Sequence, residues 1–247
     1  MSNWLEGRVI ENRHWTEALF SLRVEAQRLP FEAGQFVRLA LDVDSERLAR
    51  PFSFVNPPED PVLEFYGVIV PGGPLSPRLA RLAAGDALYV ASNPSGFLVL
   101  SEVPDSDVLW LLATGTGIAP FLSILRTETP WRRYASVVLV HGVRYARELV
   151  YREAIEAVAR ARGTRFRSVS FVSREPTPGS LTGRIPAAIA DGRLQQAAGV
   201  ALAPDNSQVM LCGNPDMLKD AGAALAARGM KKHRRRSPGQ ITVESFW

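Results

Sequence analysis

The sequence predicts a β + α/β protein, an N-terminal antiparallel β-barrel followed by a doubly wound parallel α/β domain. Three observations predict it. The first hundred residues break into short β-branched or aromatic runs separated by Gly, Pro, Asn and Asp turns, the rhythm of a small barrel. Beyond the polar stretch SEVPDSD (101–107), continuous apolar runs alternate with segments of helical period, the rhythm of a parallel sheet. The first of those runs, VLWLLATGTGIAP (108–120), leads into a Gly-x-Gly turn with Pro120 soon after it. The break near residue 101 divides the chain into 1–101 and 102–247.

In the first part, strands are expected at 19–24, 35–41, 52–55, 63–70 and 87–90. Gly34, NPPEDP (56–61), PGGP (71–74) and Gly85-Asp86 punctuate them, and a short helical pattern covers 76–82. In the second part, strands at 108–113, 137–141, 168–173 and 209–212 alternate with helices at 120–126, 147–162, 185–190 and 215–227, and a last strand closes the chain from residue 241. Ligands of such sheets bind outside the carboxyl ends of the strands. That rule puts 114–117, 141–144, 173–174 and 212–215 along one edge.

Composition narrows the function. The chain has 247 residues, 46% apolar and 22% charged, ordinary for a globular protein. No apolar run reaches the ~18 residues of a membrane span, and MSNWLEGRVI lacks the basic-then-apolar order of a secretory signal. A cytoplasmic protein without a membrane partner is expected. Cys212 is the only cysteine, which excludes an internal disulfide and a cysteine-ligated iron–sulfur cluster. His14, His141 and His233 show no ligand spacing, so no metal is expected and any electron carrier in the chain must be organic. The net charge is +4, and the run KKHRRR (231–236) reads as a solvated face or as a landing patch for an acidic partner or nucleic acid.

Several residue groups carry candidate chemistry. Gly115 and Gly117 let backbone approach a phosphate at a helix N-terminus, although a ligand-free turn explains them equally well. In Arg50-Pro-Phe-Ser53, the arginine suits a pyrophosphate, Phe52 a planar ring and Ser53 a ring nitrogen; an exposed arginine beside a core phenylalanine is the plainer alternative. Arg144, Arg174 and Arg184 each follow a strand end or precede a helix, and Ser173-Arg174 suits a phosphate monoester. Cys212 is either a small buried residue or part of the site. The ending ITVESFW (241–247) puts Glu244 beside two terminal aromatics.

In this order, these pieces resemble ferredoxin–NADP+ reductase in its short bacterial form. The resemblance rests on FEAGQF (31–36), RPFS (50–53), FYGVIV (65–70), LSPR (75–78), TGTGIAP (114–120), VSR (172–174), LCGNP (211–215) and Trp247, and it spans nearly the whole chain. It implies an FAD-binding barrel and an NADP(H)-binding α/β domain. Arg50 and Pro51 would meet the FAD pyrophosphate, Phe52 would stack on the isoalloxazine and Ser53 would bond near its reactive nitrogen. The family usually has tyrosine where Phe52 stands, so a hydroxyl is lost there. Tyr66, Gly67, Val68, Ile69, Leu75 and Ser76 would continue the flavin site, with Thr116 between flavin and nicotinamide. Phe246 would lie towards the flavin and Trp247 over the adenine. Val143, Arg144, Ser173, Arg174 and Arg184 would hold the NADP(H) phosphates, with Asn214, Pro215 and Asp216 beyond the cysteine. Ser53, Cys212 and Glu244 form the implied catalytic set.

The activity so implied is electron exchange between NADP(H) and a separate one-electron carrier, ferredoxin or flavodoxin, with the chain acting as a monomer. The calculated pI of about 9.6 suits an acidic carrier. Rival readings are an NADH-dependent flavin reductase on the same fold, a flavin-bound regulator without turnover, and a nucleic-acid module using 231–236. The last leaves the α/β motifs without a role, so nucleic acid is not an expected partner.

Overall fold

The computed structural model describes residues 3–245. The first sheet has six strands: β1 Trp4–His14, β2 Leu19–Ala26, β3 Phe36–Val43, β4 Glu46–Ser53, β5 Val62–Val68 and, after the short helix α1 Ser76–Leu79, β6 Ala87–Ala91. Their order is β4-β3-β6-β1-β2-β5, every pair antiparallel. A bridge between Phe54, just past β4, and Phe65 of β5 brings the two edges together and closes the barrel. Phe20, Phe54 and Phe65 fill it with Leu22, Leu39 and Leu88, all at most 1% exposed.

The second sheet is parallel throughout, in the order β10-β9-β8-β7-β11-β12. Its strands are β7 Val108–Thr114, β8 Ser136–Val143, β9 Phe166–Val172, β10 Leu181–Thr182, β11 Ser207–Gly213 and β12 Ile241–Ser245. Around them lie α2 Ala119–Leu125, α3 Thr129–Arg133, α4 Arg152–Arg162, α5 Ile185–Ala190, α6 Arg193–Ala198 and α7 Pro215–Ala227. β7 reads as one apolar run because both of its faces are covered. Leu109, Leu111 and Ala113 join one core cluster, while Val108, Trp110 and Leu112 join the other.

The first of those clusters does not stop at the sheet. It takes in Leu19, Ala33, Val55, Tyr66 and Leu98 from the barrel half, so barrel and sheet share one apolar core.

The elements differ from expectation in a few places. β1, the short α3 and α6 and the two-residue β10 were not foreseen, and β4 begins at Glu46, ahead of the expected 52. α1 has four residues in place of the expected 76–82. α4 starts at Arg152, not at 147, because 146–148 forms a separate tight turn and Tyr151 enters the left-handed region at φ 59°.

Candidate active site at the seam of barrel and sheet

From β7 the chain moves outward through β8, β9 and β10, then returns to the other side of β7 as β11. The reversal opens a crevice at the carboxyl ends of β7 and β11. Two glycines let its walls come close. A methyl group on Gly117 would lie 2.6 Å from the Cys212 carbonyl oxygen, and Gly213, at φ 136°, has Thr114 against its Cα. The Asn214 amide donates to Thr114 Oγ1 at 3.0 Å, and Asn214 Oδ1 caps α7 by accepting from the Asp216 and Met217 amides. Below the turn lies His141, 3% exposed, whose Nε2 is 3.0 Å from the Gly115 carbonyl. A carbonyl can only accept, so Nε2–H donates. Burial lowers the His141 pKa to about 4 and keeps the ring neutral.

The crevice opens into a cavity of about 450 Å3. The turn 114–117 lines it on the sheet side, and Leu19, Tyr66 and Val68 of the barrel face it. Arg144, Arg174 and Arg184 lie along it together with Val143, Ser173, Asn214 and Asp216, so three arginines from three strand ends share one space. Tyr145 helps to place Arg174: the guanidinium carbon sits 5.7 Å from the ring centroid, and Nη1 donates to the phenol oxygen at 3.4 Å. Glu148 Oε2 accepts from the Arg144 and Tyr145 amides, which fixes the loop after β8. Ser173 spends its hydroxyl on the Val143 carbonyl at 3.2 Å. Pro215 stands outside the cavity wall, at the first position of α7, where its missing N–H is harmless.

The barrel residues form a neighbouring group. Arg50 is exposed on β4, its Nη1 on the Ala49 carbonyl at 2.7 Å, followed by Pro51 and the half-buried Phe52. The Phe52 ring packs against Gly67 on β5, where a methyl group would lie 2.9 Å from Phe52 Cε1. Val68 ends β5, Ile69 follows it, and Leu75 leads into α1, where Ser76 Oγ accepts from the Val70 amide at 2.9 Å. Thr116 sits in the turn after β7.

Cys212 and Glu244 lie side by side at the end of β12, and Ser53 is linked to them through Phe36 and the 95–97 loop. Cys212 pairs with Glu244 across β11 and β12. Ser53 pairs with Phe36, Phe36 bridges Ser95, and both the Phe36 ring and Glu244 Oε1 crowd the Cα of Gly96. Glu244 Oε1 accepts from the Phe97 amide at 3.3 Å, and burial raises this carboxyl's pKa to about 7. Burial, and then the nearness of Glu244, drives the Cys212 thiol well above its usual pKa, so it is a protonated neighbour and not a thiolate nucleophile. Ser53 Oγ, Tyr66 Oη and Glu244 Oε2 are buried without a hydrogen-bond partner.

Tyr145 and Glu148 were not singled out from sequence, although they stand just beyond Arg144 at a strand end, which is a signal. His141 was placed on the ligand edge with 141–144 but was given no task there. Phe246 and Trp247 lie outside the described residues. Among the described residues no group of His, Cys, Asp and Glu is placed to hold a metal ion, and no helix is long and apolar enough to cross a membrane.

A barrel and a parallel sheet meeting over such a crevice define a two-cofactor oxidoreductase. Residues 6–98 match the oxidoreductase FAD-binding domain and residues 111–222 the oxidoreductase NAD-binding domain. Flavodoxin/ferredoxin–NADP reductases of Shigella flexneri and Escherichia coli are 49% and 48% identical, each over 100% of both chains. A ferredoxin–NADP+ reductase of Neisseria gonorrhoeae, solved with bound FAD and NADP, superimposes with TM-score 0.95 at 33% identity over 100% of both chains. The chain belongs to the flavodoxin/ferredoxin–NADP reductase family, FAD-dependent oxidoreductases that use NADP(H).

The residues present fit a flavin. The unpartnered Ser53 hydroxyl, buried beside a half-buried aromatic on the same strand, matches the polar rim and flat face of an isoalloxazine.

Proposed function

We propose that the chain moves electrons between NADP(H) and a one-electron carrier protein, ferredoxin or flavodoxin, in the cytoplasm and as a monomer. The barrel, residues 1–101, would hold FAD, and residues 102–247 would hold the dinucleotide. The observation that carries this reading is the shared cavity, in which Tyr66 and Val68 of the barrel face the Thr114–Gly117 turn and three arginines of the sheet.

Each residue then has a task. Arg50 and Pro51 sit where the FAD pyrophosphate would lie, and Phe52 offers its ring to the isoalloxazine. Ser53 directs its hydroxyl at the ring's polar edge, with Tyr66, Gly67, Val68, Ile69, Leu75 and Ser76 completing the bed. Arg144, Arg174 and Arg184 grip the NADP(H) phosphates, with Val143 and Ser173 lining the cavity beside them, while Asn214, Pro215 and Asp216 form the start of α7. Bidentate guanidinium contacts suit a 2′-phosphate. Thr116 lines the place where the nicotinamide meets the flavin, the buried Cys212 backs the same turn, and Glu244 sets the charge there. When bound, FAD supplies the exchange between a two-electron hydride and single electrons; the protein contributes orientation and a site closed to water.

The test is an absorption spectrum of the purified protein before and after NADPH. Flavin bands that bleach with NADPH support the reading, and a colourless protein overturns it. Arg174→Ala should raise the NADPH KM about tenfold or more and leave the NADH KM nearly unchanged.

A further inference from the structure

A second cavity, of about 480 Å3, opens at the seam and shares no lining residue with the cofactor cavity. Tyr151 lines it and meets Tyr66 of the cofactor cavity in a T-shaped contact, so the two tyrosines stand between the spaces. Five arginines reach the second cavity from both halves of the protein. Arg13 and Arg23 come from β1 and β2, while Arg126, Arg147 and Arg152 come from the sheet half. Against them stand three glutamates, Glu11, Glu64 and Glu153, which leaves a surplus of two positive charges.

Two of the arginines are spent. Arg23 Nη1 pairs with Glu11 Oε2 at 3.3 Å, and Arg126 Nη1 with Glu64 Oε2 at 3.2 Å. Among the described residues, no carboxylate lies within ion-pair reach of Arg13, Arg147 or Arg152. These three are nevertheless held in place. The Arg13 guanidinium carbon lies 3.7 Å from the Trp15 ring centroid, and Trp15 is itself fixed by Ser21 and the Tyr151 ring. Arg147 lies 4.8 Å from the Tyr145 ring centroid, and Arg152 Nε donates to the Leu149 carbonyl at 3.1 Å. Preset cations in a concave space with no internal counter-charge have the anatomy of an anion site.

We propose that this cavity binds a small bisphosphate, held across the seam by Arg13 of the barrel and Arg147 and Arg152 of the sheet half. Unpaired guanidinium groups on both sides call for a ligand with two anionic groups, and their fork geometry suits phosphate. The volume is many times the ~30 Å3 of one water and leaves room for two such groups. A nucleobase has nothing to stack on, because Arg13 and Tyr151 already pack on Trp15. The ligand is therefore compact. By tying barrel to sheet it favours the folded protein.

The experiment titrates inorganic pyrophosphate and, separately, a sugar bisphosphate into the FAD-loaded protein by calorimetry. Saturating NADP+ is present throughout, so that the arginines of the cofactor cavity are taken. Binding of either probe supports the proposal, and the tighter one shows whether the ligand is inorganic or an ester. Arg13→Gln and Arg152→Gln should each raise the Kd about tenfold or more. Orthophosphate, which meets one side at a time, should bind at least about tenfold more weakly than the bisphosphates. At about ten times Kd the bisphosphate should raise the wild-type melting temperature by about 3–6 °C and leave the variants nearly unmoved. Flavin content and NADPH-driven ferricyanide turnover should match the wild type. Arg13 makes no hydrogen bond among the described residues, so Arg13→Gln carries the test even if Arg152→Gln disturbs the loop before α4. Absence of binding by both probes would overturn the proposal. So would a Kd that neither substitution moves, or orthophosphate binding as tight as that of the bisphosphates.

Discussion

Ser53 Oγ is enclosed in the barrel wall with nothing to bond. A buried hydroxyl without a partner costs free energy, so Ser53→Ala should leave the flavin-free protein as stable as before or up to ~1 kcal/mol more stable. Hydride transfer should move the other way. Losing one hydrogen bond at the reacting ring slows it about 10- to 100-fold, seen as slower flavin bleaching after rapid mixing with NADPH. A purely structural Ser53 would leave that rate alone. Glu244 gives a second contrast. Its folded pKa, about 7, stands above the ordinary carboxyl value of 4.5 because burial disfavours the charge. The folded state therefore holds the proton more tightly than the unfolded one. The stability this confers is full below about pH 4.5 and is lost as pH rises through about 7. The melting temperature of Glu244→Gln, compared with wild type across pH 5 to 8, should lack this component of the decline, while bleaching by NADPH loses an inflection near pH 7.

The turn after β7 works as an element, held from below by His141 and from the side by β11. Gly117→Ala places a methyl group 2.6 Å from the Cys212 carbonyl oxygen, a backbone atom that cannot swing aside, so the turn must shift. A cost of about 1–3 kcal/mol in stability is expected, together with a raised NADPH KM; thermal melts and steady-state kinetics would show both. Much of this element was legible beforehand. β7 is apolar at six successive positions, and the two glycines and Pro120 marked its turn. β1 was not legible. WLEGRVIENRH lies between β6 and β2, yet only Gly7 and Val9 are buried, so pairing and not apolar content makes it a strand. The three arginines could be read because strand ends fix their place in any doubly wound sheet. His141, Tyr145 and Glu148 act through contacts that exist only after the chain folds, and residue type alone does not disclose them.

At the scale of the whole molecule, barrel and sheet are bound together by more than the shared apolar core. Arg126 of the sheet half pairs with Glu64 of β5 at 3.2 Å, and Ser123 Oγ donates to the Asn56 carbonyl at 2.7 Å. Tyr151 crosses over as well. Its backbone sits at φ 59°, unfavourable for a non-glycine residue, and its hydroxyl meets Ser21 Oγ at 2.6 Å. Ser21 Oγ also accepts from Trp15 Nε1 at 2.7 Å, and Trp15 packs on the Tyr151 ring at 4.9 Å between centroids. The same ring meets Tyr66 in a T-shaped contact at 5.3 Å, and Tyr66 lines the cofactor cavity. An interface this continuous makes the two halves one cooperative unit, so the flavin-free protein should melt in a single transition. Ser21→Ala leaves the Trp15 N–H and the Tyr151 hydroxyl without their shared partner and should cost about 1–3 kcal/mol. The single transition should persist at a lower temperature, with equal calorimetric and van't Hoff enthalpies. Two separated transitions in the wild type would show that barrel and sheet unfold independently. The cavity between them would then depend on bound cofactors for its shape, and not on this seam.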